Sequence, residues 1–475
     1  MKITVSATPS NTKNILTLIE EMGYSLPCNC RGAHHCNGAQ YSFDCSMIPK
    51  TTITVTIPDA GKNLHGISLE DKICVAGNGN CLLIDIGTTT VALALIDSDS
   101  GELRRTTVFA NPQRTFGTDV ISRIQSSLEG HKNELKTILQ HSLQEETEKL
   151  CQINNQTSDY IKYCFIGGNT AMIHLLLGYN CAPLAASPFQ IKEQPPEPLL
   201  INGCKVTILP WISAFVGGDI TAGIYTCPFT ACPPSLFIDL GTNGEMLLHC
   251  GETLFAASTA AGPAFEGNGL SCGCPGIPGA VSAVKLRRLR PAITTIGNKL
   301  PIGICGSGAI SLMAELLHHK YVTPDGILTE KFPDEGILLG LSPKGSPIRF
   351  TADDFRSIQL AVAAIGAGID TLCHEADIDP KDIKSLYLGG GFGFYLDLSA
   401  CRDLGLFSSV EISRVIPMGN TCLRGLYEYA CRNKSETPPD IPPVTPVSLA
   451  DSSFFRSRFI SHMTYPDIMS GNDTV

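Results

Sequence analysis

Two stretches of the sequence share one pattern of apolar and polar positions. Residues 82–96 read as two strands joined at Gly and Thr, because apolar residues run on both sides of the turn. Residues 236–248 repeat the order of Asp, apolar residue, Gly and Thr at a domain-sized separation. The aspartates of the two copies are Asp85 and Asp239. The repeat predicts two related lobes, each with one aspartate-tipped hairpin.

Helical spacing of apolar residues occurs between the two hairpins and after the second. The predicted helices cover residues 117–127, 132–152, 169–177, 217–225, 308–318, 355–376, 419–431 and 452–463. Near the beginning, residues 3–5 and 52–57 read as strands and residues 12–22 as a helix. Residues 386–393 read as a strand that enters a glycine turn. Strands alternating with helices favour an α/β fold.

Changes in composition divide the chain into segments. Residues 58–80 are rich in Gly, Asn and Asp, which favours turns and an exposed linker. Beyond residue 434 the chain is rich in Pro before its last predicted helix. The predicted segments are a small N-terminal domain over 1–57, a linker over 58–80, a first lobe over 81–205, a second lobe over 206–433 and a tail over 434–475.

Composition and charge narrow the class of protein. The chain has 475 residues, of which 43% are hydrophobic and 17% charged, as in globular proteins. With 35 Lys and Arg against 45 Asp and Glu, the net charge of −10 argues against nucleic acid or an anionic membrane as partner. The sequence has neither a leader pattern nor an apolar run long enough to span a membrane, so we expect a cytoplasmic protein. Most of the 20 cysteines are then expected to be buried thiols rather than disulfides.

The two hairpins carry groups suited to binding a nucleotide. An Asp at the end of a buried strand can hold Mg²⁺ through water, while Gly and Thr offer N–H groups and hydroxyls to phosphate oxygens. A facing pair of such turns can grip both ends of a triphosphate chain. We therefore predict that Asp85 and Asp239 hold Mg²⁺. The predicted phosphate contacts are Thr88, Thr89, Thr242 and Asn243.

These motifs resemble those of the superfamily of actin, sugar kinases and heat-shock ATPases. Residues 85–90 and 239–244 look like its two phosphate loops, and residues 386–393 look like its adenosine loop. Residues 217–225 and 419–427 are similar to its two connecting helices, whose small residues cross tightly at the hinge between lobes. The resemblance implies duplicated α/β lobes of the actin, hexokinase and ribonuclease H-like kind.

A finer resemblance is to the reductive activators of corrinoid proteins, over most of the chain beyond residue 80. It rests on motifs that follow in family order: Asn111-Pro112-Gln113, residues 117–124, 168–172 and 261–267, and Cys305-Gly306-Ser307-Gly308. This resemblance implies an ATPase with a small ferredoxin-like α+β domain before it. Taken singly, Gly306 and Gly308 could serve only a tight turn, and Asp119 with Arg123 could be an ordinary i,i+4 helix pair.

The resemblance also implies roles for individual residues. Asp219 and Glu266 lie in segments that the family places around the cleft, so they join Asp85 and Asp239 as candidate catalytic residues that position water. A structural salt bridge or a helix cap is an equal alternative for Asp219 and Glu266. The residues assigned to the nucleotide are Gly87, Thr88, Thr89, Thr90, Gly241, Thr242, Asn243, Gly244, Gly306, Ser307, Gly308, Gly389, Gly390 and Gly391.

Four cysteines cluster within 18 positions near the beginning of the chain. They are Cys28, Cys30, Cys36 and Cys45. The family carries a plant-type [2Fe–2S] domain in this region, and such a cluster needs four thiolates. The last three cysteines match ligand positions, but Ala39 stands at the remaining one, where Cys28 is the candidate replacement. His34 and His35 leave a Rieske-like or zinc site open, and a domain that has lost its metal is the other alternative.

The resemblance implies an ATP-dependent activator that passes single electrons from an iron–sulfur centre to the Co(II) corrinoid of a partner protein. The implied cofactors are ATP, Mg²⁺ and a [2Fe–2S] cluster. The implied partner is a corrinoid protein or its methyltransferase, and a homodimer is a candidate assembly. A nonredox ATP-driven chaperone or remodelling factor for a metalloenzyme is one alternative, which Ala39 leaves open. A small-molecule kinase on the same fold is another, although it would have no use for the cysteines.

Overall fold

The computed structural model describes two short N-terminal strands and most of the chain from residue 80 onwards. The described residues are 2–5, 53–56, 80–98, 100–117, 119–153, 161–186, 189, 191, 199–226, 233–287, 290–390, 396–432 and 443–466. The predicted helix over 12–22, residues 58–79 of the predicted linker and the cysteines Cys28, Cys30, Cys36 and Cys45 lie outside these ranges. Gly391 of the predicted adenosine loop also lies outside them.

The two N-terminal strands form an antiparallel pair. β1 (Lys2–Val5) and β2 (Ile53–Thr56) align with Ile3 opposite Val55. Both strands confirm the predictions over 3–5 and 52–57. Their pairing brings together the two ends of the segment that contains the four candidate cysteine ligands.

The first large sheet is built around the first aspartate hairpin. Its strands are β3 (Asn80–Ile86), β4 (Thr90–Asp97), β5 (Leu103–Ala110), β6 (Ile161–Gly168), β7 (Leu200–Ile201) and β8 (Cys204–Ile208). They run in the order β5-β4-β3-β6-β8-β7. β3 pairs antiparallel with β4 and parallel with β6, so the hairpin lies in the middle of the sheet. Its side chains are buried on both faces, as expected of a strand that is covered on both sides.

Helices cover one face of this sheet. They are α1 (Val120–Ser126), α2 (Lys132–Ile153), α3 (Thr170–Leu177) and α4 (Ala182–Ala185), with a π-helical turn at Ser127–His131. α1 begins at Asp119, whose Oδ1 accepts the Ser122 N–H at 2.8 Å, so Asp119 is a helix cap. Leu135, Leu139 and Leu143 recur every four residues along α2 and pack into the core beside β3.

The second half of the chain repeats the hairpin in a second sheet and adds two small sheets. Its strands are β9 (Ser235–Leu240), β10 (Gly244–Cys250), β11 (Thr253–Thr259), β12 (Ala280–Arg287), β13 (Arg290–Thr295), β14 (Gly303–Ile304), β15 (Ile337–Leu341), β16 (Pro347–Phe350), β17 (Ser385–Gly389), β18 (Val415–Gly419) and β19 (Val444–Pro446). The large sheet has the order β18-β17-β9-β10-β11-β19. β9 pairs antiparallel with β10 and parallel with β17. This arrangement matches that of β3 and confirms the predicted repeat.

Six helices belong to this half of the chain among the described residues. They are α5 (Gly218–Thr226), α6 (Gly306–His318), α7 (Ala352–Glu375), α8 (Leu398–Asp403), α9 (Thr421–Arg432) and α10 (Ser453–Ser461). α7 is long and apolar enough to cross a membrane, but 83% of its apolar window is buried in the protein. It is therefore the core helix of the second lobe, where α6 also packs.

The helices α5 and α9 cross between the two sheets. Ile220 of α5 packs with Phe237 of the second sheet, whereas Leu423 and Leu426 of α9 pack with residues of the first sheet. At Gly425 of α9, an added Cβ would lie 1.9 Å from the Ala222 carbonyl oxygen of α5. Only glycine permits this approach, which confirms the predicted tight crossing.

The predicted helix bounds agree with the described helices to within three residues. α7 begins at Ala352 rather than residue 355 because Thr351 and Asp354 form a capping box: each side chain accepts the other's backbone N–H. The apolar pattern did not indicate β5 and β11, which extend each hairpin to three strands. In β5 the missed signal has a physical reason, since this edge strand has no fully buried position and its half-buried and exposed positions do not alternate regularly.

Candidate functional site

The turn of the first hairpin is braced by an asparagine from the end of β5. The Gly87 N–H donates to the Thr90 carbonyl at 3.0 Å and closes the turn. Asn111, which is fully buried, donates from Nδ2 to the Gly87 carbonyl at 2.8 Å, and its N–H donates to the Thr89 carbonyl at 2.9 Å. The Asn-Pro-Gln motif therefore fixes the backbone of the first predicted phosphate loop.

The turn of the second hairpin is closed in a similar way. The Gly241 N–H donates to the Asn243 carbonyl at 2.9 Å. Gly244 leaves no room for a side chain, because an added Cβ would lie 2.2 Å from Cδ1 of Ile365 on α7. The Asn243 side chain donates to Oε1 of Glu245 at 3.2 Å. The second loop is therefore held against the core of its own lobe.

One carboxylate oxygen joins the two hairpins. Oε2 of Glu266 accepts hydrogen bonds from the hydroxyls of Thr89 at 2.6 Å and Thr242 at 3.0 Å. Thr89 belongs to the first hairpin and Thr242 to the second, so the two predicted phosphate loops face each other across one cleft. The structure thus brings Asp85 and Asp239 to a shared site, as the paired motif requires.

Five acidic side chains gather in this cleft, and we call them the carboxylate cluster. They are Asp85, Asp219, Asp239, Glu245 and Glu266. Burial raises the pKa of every member. Burial and the neighbouring carboxylates together raise the pKa of Asp219 to about 7 and that of Asp239 to about 8. No ion pair within the described ranges includes any of the five.

An uncompensated carboxylate cluster favours a cation. Carboxylates that share a site repel one another, and a divalent ion relieves this repulsion. All but Glu245 keep some exposure to the cleft, so a ligand from solvent can reach them. Among the described residues, no three acidic, His or Cys side chains are arranged to hold a metal ion directly. Carboxylates are donors that suit Mg²⁺ with its water shell.

Family models match nearly all of the chain that carries this cleft. The model described as the C-terminal ASKHA domain of RACo matches residues 233–472, and the model of the RACo middle region matches residues 81–231. The chain belongs to the RACo family. Its fold is the duplicated actin- and hexokinase-like fold of ASKHA proteins, as the sequence motifs predicted.

Named proteins extend this result. Over 381 residues the chain is 32% identical to "Corrinoid activation enzyme RamQ" of Eubacterium limosum. The aligned region covers 73% of this chain and 63% of RamQ. The chain is 28% identical over 382 residues to "[Co(II) methylated amine-specific corrinoid protein] reductase" of Methanosarcina barkeri, covering 72% and 68% respectively. A solved "Reductive activator for corrinoid,iron-sulfur protein" aligns with TM-score 0.71 and 29% identity over 82% of this chain and 67% of that one. The chain thus spans about two thirds of these proteins.

In this RACo-family chain the predicted adenosine loop lies against the second aspartate. Gly389 ends β17, and Gly390 adopts a left-handed conformation with φ of 88°. An added Cβ at Gly390 would lie 2.5 Å from the Leu240 carbonyl oxygen and 2.8 Å from Oδ1 of Asp239. Both the positive φ and the close approach require glycine.

The motif Cys305-Gly306-Ser307-Gly308 occupies the start of α6. An added Cβ at Gly308 would lie 2.1 Å from the Val281 carbonyl oxygen of β12. Ser307 is buried and lies 3.3 Å from Sγ of Cys305. These contacts support the tight-packing alternative, and a nucleotide contact for Gly306, Ser307 and Gly308 stays a prediction.

The sequence motifs missed four polar residues of the cleft. Glu245 follows the second loop directly, and Asn169 in the quoted motif over 168–172 donates to its Oε1 at 3.4 Å. Asn420 donates to Asp85 and Thr421 to Asp239. The position of Glu245 beside a phosphate loop was a usable signal. Asn420 and Thr421 gave none, because their partners lie far away in the sequence.

The cysteines in the described ranges are free thiols, and none of them belongs there to a group of three or more potential metal ligands. That all thirteen are free confirms the expectation for that part of the chain. Burial raises the pKa of both Cys272 and Cys274 to about 12, so they are unreactive thiols at neutral pH.

Proposed function

We propose that this chain is an ATP-dependent reductive activator of a corrinoid protein. The observation that carries the proposal is the convergence of two phosphate-type hairpins and the carboxylate cluster in one cleft of a RACo-family chain. The names of its relatives, an activation enzyme and a reductase of Co(II) corrinoid proteins, support the reaction class. An ATPase that is coupled to electron transfer combines both observations.

In this proposal the cleft binds Mg²⁺ and ATP. Asp85 and Asp239 hold Mg²⁺ through water, and Mg²⁺ neutralises charge on the phosphates. The hydroxyls of Thr89 and Thr242, which donate to Glu266 in this structure, turn to the phosphate oxygens. Asp219 and Glu266 then orient the water that attacks the terminal phosphate. Glycines at both turns and at Gly389–Gly390 let the backbone approach the nucleotide.

Closure of the lobes couples ATP to the partner. The Thr89 and Glu266 contact spans the cleft, so exchange of this contact for a nucleotide changes how the lobes meet. The crossing of α5 and α9 at Gly425 is the hinge about which the lobes turn. Closure favours one state of the corrinoid partner, and ATP hydrolysis releases it.

The electron reaches the corrinoid through the N-terminal domain. A [2Fe–2S] cluster held there would supply the single electron that reduces Co(II) to Co(I), with a ferredoxin-type donor as the source of that electron. Cys30, Cys36 and Cys45 are the candidate ligands, with Cys28 in place of the thiolate that Ala39 lacks. We propose a corrinoid protein or its methyltransferase as partner, in the cytoplasm, with a homodimer as the assembly.

Anaerobic purification of the full chain tests this function. We expect about two iron and two sulfide ions per chain. We also expect ATP hydrolysis that a methylamine- or methanol-type corrinoid protein stimulates and sugars do not. Absorption spectra of that corrinoid should change from Co(II) to Co(I) only with ATP and a reduced donor. Absence of ATP hydrolysis under all these conditions would overturn the proposal.

A nonredox remodelling factor is the second candidate, because Ala39 removes one expected cluster ligand. On this alternative the purified protein is colourless and free of iron, yet it hydrolyses ATP faster with the corrinoid protein present. Iron content therefore separates the two candidates in one measurement.

A further inference from the structure

The first residues of α9 contact the aspartates of both hairpins. Nδ2 of Asn420 donates to Oδ2 of Asp85 at 2.8 Å, and the next residue, Thr421, donates its hydroxyl to Oδ2 of Asp239 at 3.3 Å. Asp85 lies on the first sheet and Asp239 on the second. Two consecutive residues therefore connect the carboxylates of the two lobes.

The Asn420 side chain is fixed by a second hydrogen bond. Its Oδ1 accepts the Leu423 N–H at 2.8 Å, which caps the first turn of α9. Because the amide oxygen serves the cap, the amide nitrogen points to Asp85, and a carboxylate is the acceptor that it needs. The cap and the contact with Asp85 thus require the same side-chain orientation.

Thr421 is held on three sides. Its side chain is completely buried, and its carbonyl accepts the hydroxyl of Thr226, the last residue of α5, at 2.9 Å. An added Cβ at Gly389 would lie 2.6 Å from the Thr421 hydroxyl oxygen, so glycine at this position leaves space for it. The hydroxyl therefore has little freedom to leave Asp239.

The start of α9 also stabilises negative charge on the two aspartates and so offsets part of the effect of burial. The N-terminal end of a helix carries partial positive charge, and α9 extends over twelve residues. The Cys422 thiol also hydrogen-bonds to Asp85. Three consecutive residues thus donate to two carboxylates that otherwise repel each other.

We propose that Asn420 and Thr421 are positioning residues, which hold Asp85 and Asp239 at the separation needed to bind one cation with its nucleotide. The identity of the ligand, a cation bound with a nucleotide, rests on the proposed function. The hydrogen bonds of Asn420 and Thr421 to the two aspartates are independent of that function. A side chain that served only the fold would leave cation affinity unchanged when it is replaced without loss of packing.

The hydroxyl of Thr421 gives the sharpest test. Thr421→Val keeps the shape and removes the donor, while Thr421→Ser keeps the donor. We expect Thr421→Val to weaken Mn²⁺ binding to the complex of the full chain with ADP by roughly tenfold, since hydrogen bonds to charged groups are the stronger ones. Thr421→Ser should restore affinity to within about twofold. Electron paramagnetic resonance of free Mn²⁺ measures this without any turnover.

Thr371→Val is the matched control. It removes an equally buried threonine hydroxyl from α7, where that hydroxyl donates to the Ala367 carbonyl at 2.7 Å and not to a carboxylate. We expect a lower melting temperature with Mn²⁺ affinity within about twofold of the wild type. Equal losses of affinity in Thr371→Val and Thr421→Val would overturn the proposal, and so would failure of Thr421→Ser to restore affinity.

Asn420→Ser tests the other half of the pair. Serine is a good helix cap, but its side chain is too short to reach Asp85, so the cap survives while the contact is lost. We expect a fivefold to tenfold loss of Mn²⁺ affinity at nearly unchanged melting temperature. Unchanged affinity would overturn the role of Asn420. If the wild type itself binds ADP but no Mn²⁺, the positioning inference fails alone. If it binds neither ADP nor ATP, the proposed function fails with it.

Discussion

The two halves of the cleft are built from the same parts but carry different charge. Each half supplies a hairpin with an aspartate and a threonine that donates to Glu266. The first half contributes Asp85 as its one member of the carboxylate cluster and braces its loop with Asn111. Asp239, Glu245 and Glu266 belong to the second half, whereas Asp219 lies at the start of α5, where Gly218 approaches the Leu209 carbonyl oxygen of the first half. The first half therefore contributes Asp85 and a braced phosphate loop, and the second half supplies most of the remaining negative charge for the cation.

Exchange of the two aspartates for asparagine is the strongest way to break this comparison. Burial, together with the charges of Asp219, Asp85 and Glu266, raises the pKa of Asp239 to about 8. We expect Asp239→Asn to lower kcat/KM for ATP hydrolysis by about a thousandfold, equivalent to about 4 kcal/mol in the barrier. Asp85→Asn should cost about tenfold to a hundredfold. Steady-state kinetics with varied Mg²⁺ measures both.

Equal losses in the two variants would contradict the division of roles. Gln125→Ala is a suitable control, because Gln125 is exposed on α1 and its side chain donates to the exposed Glu129. We expect its kinetics to match those of the wild type, and all variants should keep the wild-type circular dichroism spectrum.

The sequence alone was sufficient for parts of the molecule whose pattern is local. The helix in residues 132–152 follows from apolar residues at four-residue spacing, and Asp85 and Asp239 follow from their place at strand ends. The partners of these aspartates were not predictable in this way. Asn420 meets Asp85 only because β17, β18 and α9 return the chain to the cleft after the second lobe is complete. The resemblance of residues 419–427 to a connecting helix indicated that the chain returns between the lobes, but not that Asn420 contacts Asp85.

For Glu266 the sequence indicated the position of the residue but not its partners. Its segment was recognised from a family motif, which gave its place near the cleft but not its contacts. The hydrogen bond to Thr89 joins residues that are 177 positions apart. The geometry of this hydrogen bond depends on the relative position of the two lobes, and packing at the crossing of α5 and α9 determines that position. Roles for the four N-terminal cysteines stay predictions.

The two crossing helices give the next comparison. Gly425 of α9 meets a backbone carbonyl of α5, whereas Gly223 of α5 meets the Phe237 ring of the second sheet, where an added Cβ would lie 2.3 Å from Cε1. The Ala222 carbonyl is fixed in the backbone of a helix and cannot move away from an added Cβ, whereas the Phe237 ring can tilt to make room. We expect Gly425→Ala to lower the free energy of unfolding by about 3 kcal/mol, and Gly223→Ala by about 2 kcal/mol. Urea unfolding followed by circular dichroism measures both, and the reverse order would contradict this account.

The raised pKa values predict how pH changes the stability of the ligand-free protein. In the folded state Asp219 has a pKa of about 7, well above its usual 3.8, so the folded protein binds protons that the unfolded chain has lost. Stability therefore falls as pH rises from about 4 to about 7. Asp219→Asn keeps the shape of the protonated acid. We expect this variant to gain about 2 kcal/mol over the wild type between pH 4.5 and pH 8.

Thermal unfolding in EDTA at several pH values measures this gain. Addition of Mg²⁺ and ADP should reduce it, because a cation favours the ionised carboxylates of the wild type. A gain that is already complete at pH 4.5 would mean that Asp219 titrates normally in the folded state.

The brace of the first loop gives the smallest expected effect, since the loop backbone keeps its other hydrogen bonds. Asn111→Ala removes the donor to the Gly87 carbonyl, while the backbone bond from residue 111 to Thr89 remains. If the first half holds phosphate, KM for ATP should rise about fivefold with kcat nearly unchanged, which corresponds to about 1 kcal/mol. The affinity for Mn²⁺ in the ADP complex should stay within about twofold of the wild type, because the carboxylates of the second half are untouched. A large fall in kcat together with weaker Mn²⁺ binding would instead assign cation binding to both halves equally.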